Sequence, residues 1–203
     1  MAESHPTEAP GAGRPLPLPE TALSRAVDPW LARIGRWASW LWLLLVAIIV
    51  VNVLLRYVFG EGRIEFEEIQ WHIYATGFLL GLGYALQADA HIRVDVLHER
   101  FSPALKAWIE LYGLVLLLLP FIAVVLIYSL PFVRASFELG EISASPGGLP
   151  FRWAIKAMLP LGFLLLLIAA VSRLSRVWAF LFLDTAGPPA TAGARTGSAH
   201  GAE

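Results

Sequence analysis

Residues 41–55 read LWLLLVAIIVVNVLL, a run whose one polar member is Asn52. The run has no alternating polar face, as a barrel strand would, and no polar stripe, as a soluble bundle helix would. With the tryptophans before it, it predicts a first membrane span from Trp37 to Leu55. That is close to the ~20 residues a helix needs to cross the ~30 Å hydrocarbon core.

Three further segments follow the same pattern. They run from Ile69 to Ala88, from Ala107 to Val133 and from Trp153 to Val171. The second is the most polar, opening on Glu67, Glu68 and Gln70 with His72 near its start. Its length works when those groups sit at the membrane surface. Only helices and closed barrels satisfy their backbone in lipid. The expectation is an all-α integral membrane protein of four transmembrane helices over residues 27–183, with disordered tails over 1–26 and 184–203. Both tails are rich in Pro, Ala and Gly, and the first lacks the basic and apolar regions of a secretory signal.

Composition agrees with this reading. The chain is 57% hydrophobic and 15% charged, where ordinary soluble domains are about 25% charged. A net charge of −1 gives no basic face for nucleic acid. With no cysteine, disulfides and thiolate chemistry are excluded, and the redox compartment stays undetermined. Tryptophans open each span, at Trp37, Trp40, Trp42, Trp71, Trp108 and Trp153, and Trp178 follows the last. Indoles favour the headgroup level, where the ring is half buried and its N–H stays wet. Near the spans, Arg25, Arg33, Arg36, Arg93, Arg100, Lys106, Arg173 and Arg176 fall on one side, against Arg56, Arg63, Arg134, Arg152 and Lys156 on the other. That bias places both termini in the cytoplasm. Asp28-Pro29 reads as a helix start, Asp as N-cap and Pro at the first position. The segment it opens is either an interfacial N-terminal helix along the membrane surface or a wet extension of span one.

Few residues suggest chemistry. The segment Asp89–Arg100, DAHIRVDVLHER, gathers charge after span two. His91 and Asp95 share a helical face, but a metal site needs further ligands, and the segment reads as a structured loop whose charges pair. His72 lies one turn from Glu67 and Glu68, which suits a proton relay or a hydrated interfacial cluster; the edge position favours the cluster. A haem-binding membrane anchor of a redox enzyme is the alternative from another class. It requires axial ligands on facing helices, and His72 is the one histidine inside a span. No catalytic, cofactor or metal residue is therefore assigned. Glu110 and Asn52 lie near span ends, and the span interiors hold almost no ionisable group. Transporters that conduct solute place such groups near the midplane, so the chain reads as a scaffold. Gly77, Gly81 and Ala85 recur every four residues, a stripe for close helix approach, within the bundle or against a partner. Pro120, Pro131 and Pro160 invite kinks. FELGEISASPGGLPFRW, after span three, reads as a defined outer turn.

These residues give the chain a resemblance to the small permease subunit of TRAP (tripartite ATP-independent periplasmic) transporters, over about Trp37 to Val171. It rests on RYVFG at Arg56–Gly60, Glu67-Glu68 at the head of span two, HIRVDVL at His91–Leu97, and Gly140-Glu141-Ile142-Ser143 before PGGLP. The resemblance implies a bacterial inner-membrane subunit without catalysis or cofactor. It implies a periplasmic substrate-binding protein that delivers an organic acid. It also implies a large multi-span permease subunit that carries the substrate and sodium sites and is braced by this one. Membrane lipid is the remaining partner. Arg56, Glu67, Glu68, Gly77, Gly81, His91, Arg93, Asp95, Glu141 and Ser143 become candidates for structural or subunit-interface roles.

Overall fold

The computed structural model describes residues 16, 18–89 and 101–183. Its described residues form four long helical rods, α1 (Ala22–Val58), α2 (Ile64–Gln87), α3 (Pro103–Glu138) and α4 (Arg152–Leu183). Of these, α1, α3 and α4 are long and apolar enough to cross a membrane. α2 is long enough, but its polar first turns and its glycines and tyrosines lower its hydropathy.

The rods exceed the spans read from the sequence. α1 has 37 residues, about 55 Å at 1.5 Å per residue, against a ~30 Å hydrocarbon layer. Its first turns therefore project beyond the apolar run. The expected helix start at Asp28-Pro29 is corrected: Thr21 is the N-cap, with a capping box in which Thr21 accepts from the Ser24 N–H and Ser24 bonds back to Thr21. Pro29 lies inside the helix. Asp28 is drawn into tertiary contacts instead, accepting from the Ser172 hydroxyl at 2.6 Å and facing Arg176 at 3.8 Å. The segment is thus the extension of span one, not a separate surface helix. The boundary expected at residue 26 also moves. Leu16 and Leu18 are buried against α3 and α4, and Arg176 donates to the Leu18 carbonyl at 3.2 Å. Residues 1–15 and 17 of the expected first tail, and all of the second, lie outside the described residues.

α4 touches each of the other three rods, α2 packs between α1 and α4, and α3 leans on α4. The core lies mainly along α3 and α4, where Ile122 and Val177 are fully buried beside Leu111, Leu114, Phe163, Leu166 and Ala170. The reverse faces of α1 and α3 are lined with exposed Leu, Val, Ile and Phe. In water such faces would be very costly; against lipid or another apolar helix they are not. α3 contains one wide π-helical stretch, Gly113–Leu118, closed by a bond from the Leu119 N–H to the Leu114 carbonyl. Pro120 follows directly and cannot donate to the ladder, so this is where the helix departs from α geometry.

Close helix approach falls on glycines other than the expected pair. A Cβ on Gly83 would lie 3.0 Å from the Leu165 carbonyl oxygen, and one on Gly162 would lie 2.8 Å from the Leu79 carbonyl oxygen. These two set the α2–α4 spacing. Gly77 makes ordinary contact with Leu41 and Trp42 of α1, while nothing lies within 4 Å of a Cβ on Gly81. Of the two uses expected for this stripe, Gly77 thus takes part in packing within the bundle, while Gly81 takes no part in it and keeps the partner-facing one.

Candidate functional site

Polar side chains collect at the two ends of the bundle. One end carries the loop of residues 139–151; α1 begins and α4 finishes at the other.

At the loop end, Glu68 enters from the first turns of α2. It accepts from the Ser143 hydroxyl and from the Leu149 N–H at 2.6 Å. The backbone closes around this carboxylate: Ser143 donates its N–H to Leu149 at 3.2 Å, and Arg152 donates its N–H to Glu141 at 3.1 Å. Gly147 has φ +77° and Gly140 has φ +56°, conformations that side chains resist. Gly148 leaves room for Ser143 and Glu68: a Cβ there would sit 2.8 Å from Glu68 Oε1. Glu141 pairs with Lys156 and, at 3.7 Å, with Arg152. Arg56 at the end of α1 pairs with Glu67. His72 sits one turn below, its Nδ1 donating to the Glu68 carbonyl at 2.6 Å, because a carbonyl can only accept. An open groove of about 510 Å³ runs beside these groups, lined by Glu67, Glu68, Trp71, His72, Ser143 and Arg152 among others.

The hydrogen bonds set the electrostatics. The Ser143 hydroxyl, followed by the Leu149 N–H, holds the Glu68 carboxyl below its usual value, and Lys156 does the same for Glu141. Both carboxylates spend their lone pairs on fastening the loop. The arrangement acts as a clasp.

At the opposite end, Arg173 of α4 is buried and bridges Glu110 of α3 and Asp89 after α2, the latter at 3.2 Å. Thr21 meets Ser175 at 2.8 Å beside it. This tie across three rods is absent from the sequence-based candidates. The available signal was Arg173 and Glu110 themselves, each standing just beyond the apolar run of its helix.

The candidates thus divide. Glu68, Glu141 and Ser143 converge on one loop, and Arg56 and Glu67 pair beside it. Gly77 and Gly81 lie elsewhere along α2, and His91, Arg93 and Asp95 lie outside the described residues. Among the described residues, no group of three or more His, Asp or Glu side chains is placed to hold a metal ion.

A helical membrane subunit tied at both ends, with apolar faces left for its surroundings, is the class of protein these features define. Residues 45–180 match the family model described as "Tripartite ATP-independent periplasmic transporters, DctQ component", and the chain belongs to that family. It is therefore a small-subunit component of a TRAP transporter. Neither a curated protein nor a solved structure matches it.

Proposed function

We propose that this subunit braces the static scaffold of a large multi-span permease subunit, in a sodium-coupled transporter that takes up an organic acid across the bacterial inner membrane. On this reading a periplasmic protein delivers the acid, and the large subunit carries the substrate and ion sites. Both termini of the small subunit are cytoplasmic, and it performs no catalysis. Arg56, Glu67, Glu68, Glu141 and Ser143 serve folding and assembly, as do His91, Arg93 and Asp95.

One observation carries the proposal. No Asp, Glu, Lys or Arg occurs between Trp37 and Leu55 of α1, between Ile69 and Ala88 of α2, or between Leu111 and Val133 of α3. The charges near the ends are largely tied to one another, while α1 and α3 turn long apolar faces outward. A rod assembly of this kind supplies area and rigidity, not a wet path.

Affinity purification of the full chain from its native membrane tests the idea. A larger multi-span protein is expected to co-elute. The purified chain alone, in vesicles under a sodium gradient, is expected to move no organic acid. Uptake by this chain alone would overturn the bracing role.

A further inference from the structure

The first half of α1 presents a second surface, distinct from its buried seam. Trp30, Arg33, Trp37 and Trp40 lie at i, i+3, i+7 and i+10, which places them within about 80° of arc on a helix. Arg36 borders the same arc. The opposite face of these turns, Leu31, Gly35 and Ala38, is the buried one. The three indoles are among the most exposed large side chains of the chain, at 65%, 76% and 65% for Trp30, Trp37 and Trp40. Arg33 lies over the Trp30 ring, 5.5 Å from its centroid. Among the described residues, neither Arg33 nor Arg36 has an acidic partner, in contrast to Arg56, Arg134, Arg152, Arg173 and Arg176.

We propose that this stripe is a docking surface for anionic phospholipid. Three features favour lipid over a protein partner. The stripe stands where the apolar run of α1 begins, the depth at which headgroups meet acyl chains. Indoles prefer that depth, with the ring among the chains and the N–H toward phosphate and water. Among the described residues the two guanidiniums have no acidic partner, and a guanidinium forks onto phosphate oxygens through two parallel N–H bonds. The Trp30–Arg33 stack holds one such fork flat at the surface. Each basic group near an anionic bilayer adds attraction that fades within a Debye length. The inference rests on the membrane reading of α1, but not on the bracing role or the sidedness of the termini.

The full chain in nanodiscs mixing phosphatidylglycerol and phosphatidylcholine supplies the test. Brominated lipid of each kind serves as quencher of tryptophan fluorescence, and native mass spectrometry counts the lipids retained. The wild type should be quenched more strongly by brominated phosphatidylglycerol and should retain it preferentially. R33Q/R36Q should lower that preference by roughly tenfold, whereas R33K/R36K should keep most of it. R134Q removes an exposed arginine already paired with Glu138, at the far end of α3, and should change nothing. Because all these positions are exposed, melting curves should stay alike; a collapsed melting curve for R33K/R36K would show a structural role and overturn the proposal. An unchanged lipid preference in R33Q/R36Q would also overturn it. So would a photo-crosslinker at Trp37 that captures a polypeptide and no lipid in native membranes. Failure to co-purify a large subunit would sink the bracing role and leave this result standing.

Discussion

Glu68, in the first turns of α2, accepts a hydrogen bond from the hydroxyl of Ser143, 75 residues further along the chain. The same carboxylate takes the Leu149 N–H at 2.6 Å, so one side chain closes the loop between α3 and α4 onto α2. α4 is the rod that touches all the others. Fixing its entry therefore fixes the bundle. Phe151, held at φ +61° just before α4, is part of the cost of that tight entry.

The clasp carries a pH signature. Hydrogen bonds from Ser143 and Leu149 hold Glu68 below its usual value of 4.5, and Lys156 holds Glu141 below the same value. The folded chain thus binds these protons less readily than the unfolded chain. The stabilisation is complete above about pH 4.5 and fades as pH falls through the lowered folded values. The melting temperature in detergent should accordingly drop on acidification below about pH 4.5. Ser143→Ala should lower the melting temperature at neutral pH, and combined Glu68→Gln and Glu141→Gln should flatten the acid limb. An acid limb unchanged in that double variant would show that other groups cause it.

At the opposite end, the Arg173 bridge makes a different prediction. Arg173 is only 6% exposed. Removing it leaves Glu110 half of a broken, mostly buried pair, which costs far more than an exposed contact. Arg173→Met should destabilise the chain by ~3 kcal/mol. Adding Glu110→Gln should recover part of that loss, because the orphaned carboxylate is then neutral. The test is a double-mutant cycle on melting or denaturant curves. Strict additivity would mean that the two side chains do not depend on one another.

How much of this could be read beforehand divides by range. Apolar length is a local property, so Leu41–Leu55 and its counterparts announced the rods, and the family resemblance anticipated the family that the match to residues 45–180 shows. Glu68 and Ser143 stood out separately; their pairing depends on how a distant loop folds back, which spacing does not encode. Asp28-Pro29 was the stronger local start signal, yet Thr21 and Ser24 cap the helix because Asp28 is engaged by Ser172 and Arg176. The closest α2–α4 approach, at Gly83 and Gly162, went unread for a related reason. Periodicity finds glycines along α2, but which of them faces α4 depends on the rotation of the packed helix.

That rotation is open to test at single residues. Gly83→Ala and Gly162→Ala each push a methyl against a backbone carbonyl, at Leu165 and Leu79 respectively. Backbone yields less than a side chain, so each should cost about 1–3 kcal/mol. Gly81→Ala meets nothing within 4 Å and replaces the most flexible residue within a helix, so it should be neutral or stabilising by up to ~1 kcal/mol. Thermal melts of the three variants give the ranking. A more damaging Gly81→Ala in the isolated chain would mean that α2 is turned differently.

The Arg56–Glu67 pair separates stability from assembly. Its side chains are 50% and 41% exposed, so water and salt screen their attraction. An exposed pair is worth about 0–1 kcal/mol, and Arg56→Gln or Glu67→Gln should leave the melting of the isolated chain within that margin. Under the bracing role, the same substitutions matter where the pair meets the large subunit: burial there would strip the screening and leave one charge without its partner. The two variants should then reduce recovery of the large subunit in affinity purification while the small subunit itself stays folded. Restoring the attraction with exchanged charges, Arg56→Glu with Glu67→Arg, should restore much of the recovery. If the single variants unfold the isolated chain instead, the pair is part of the fold's own framework and its assignment to assembly is wrong.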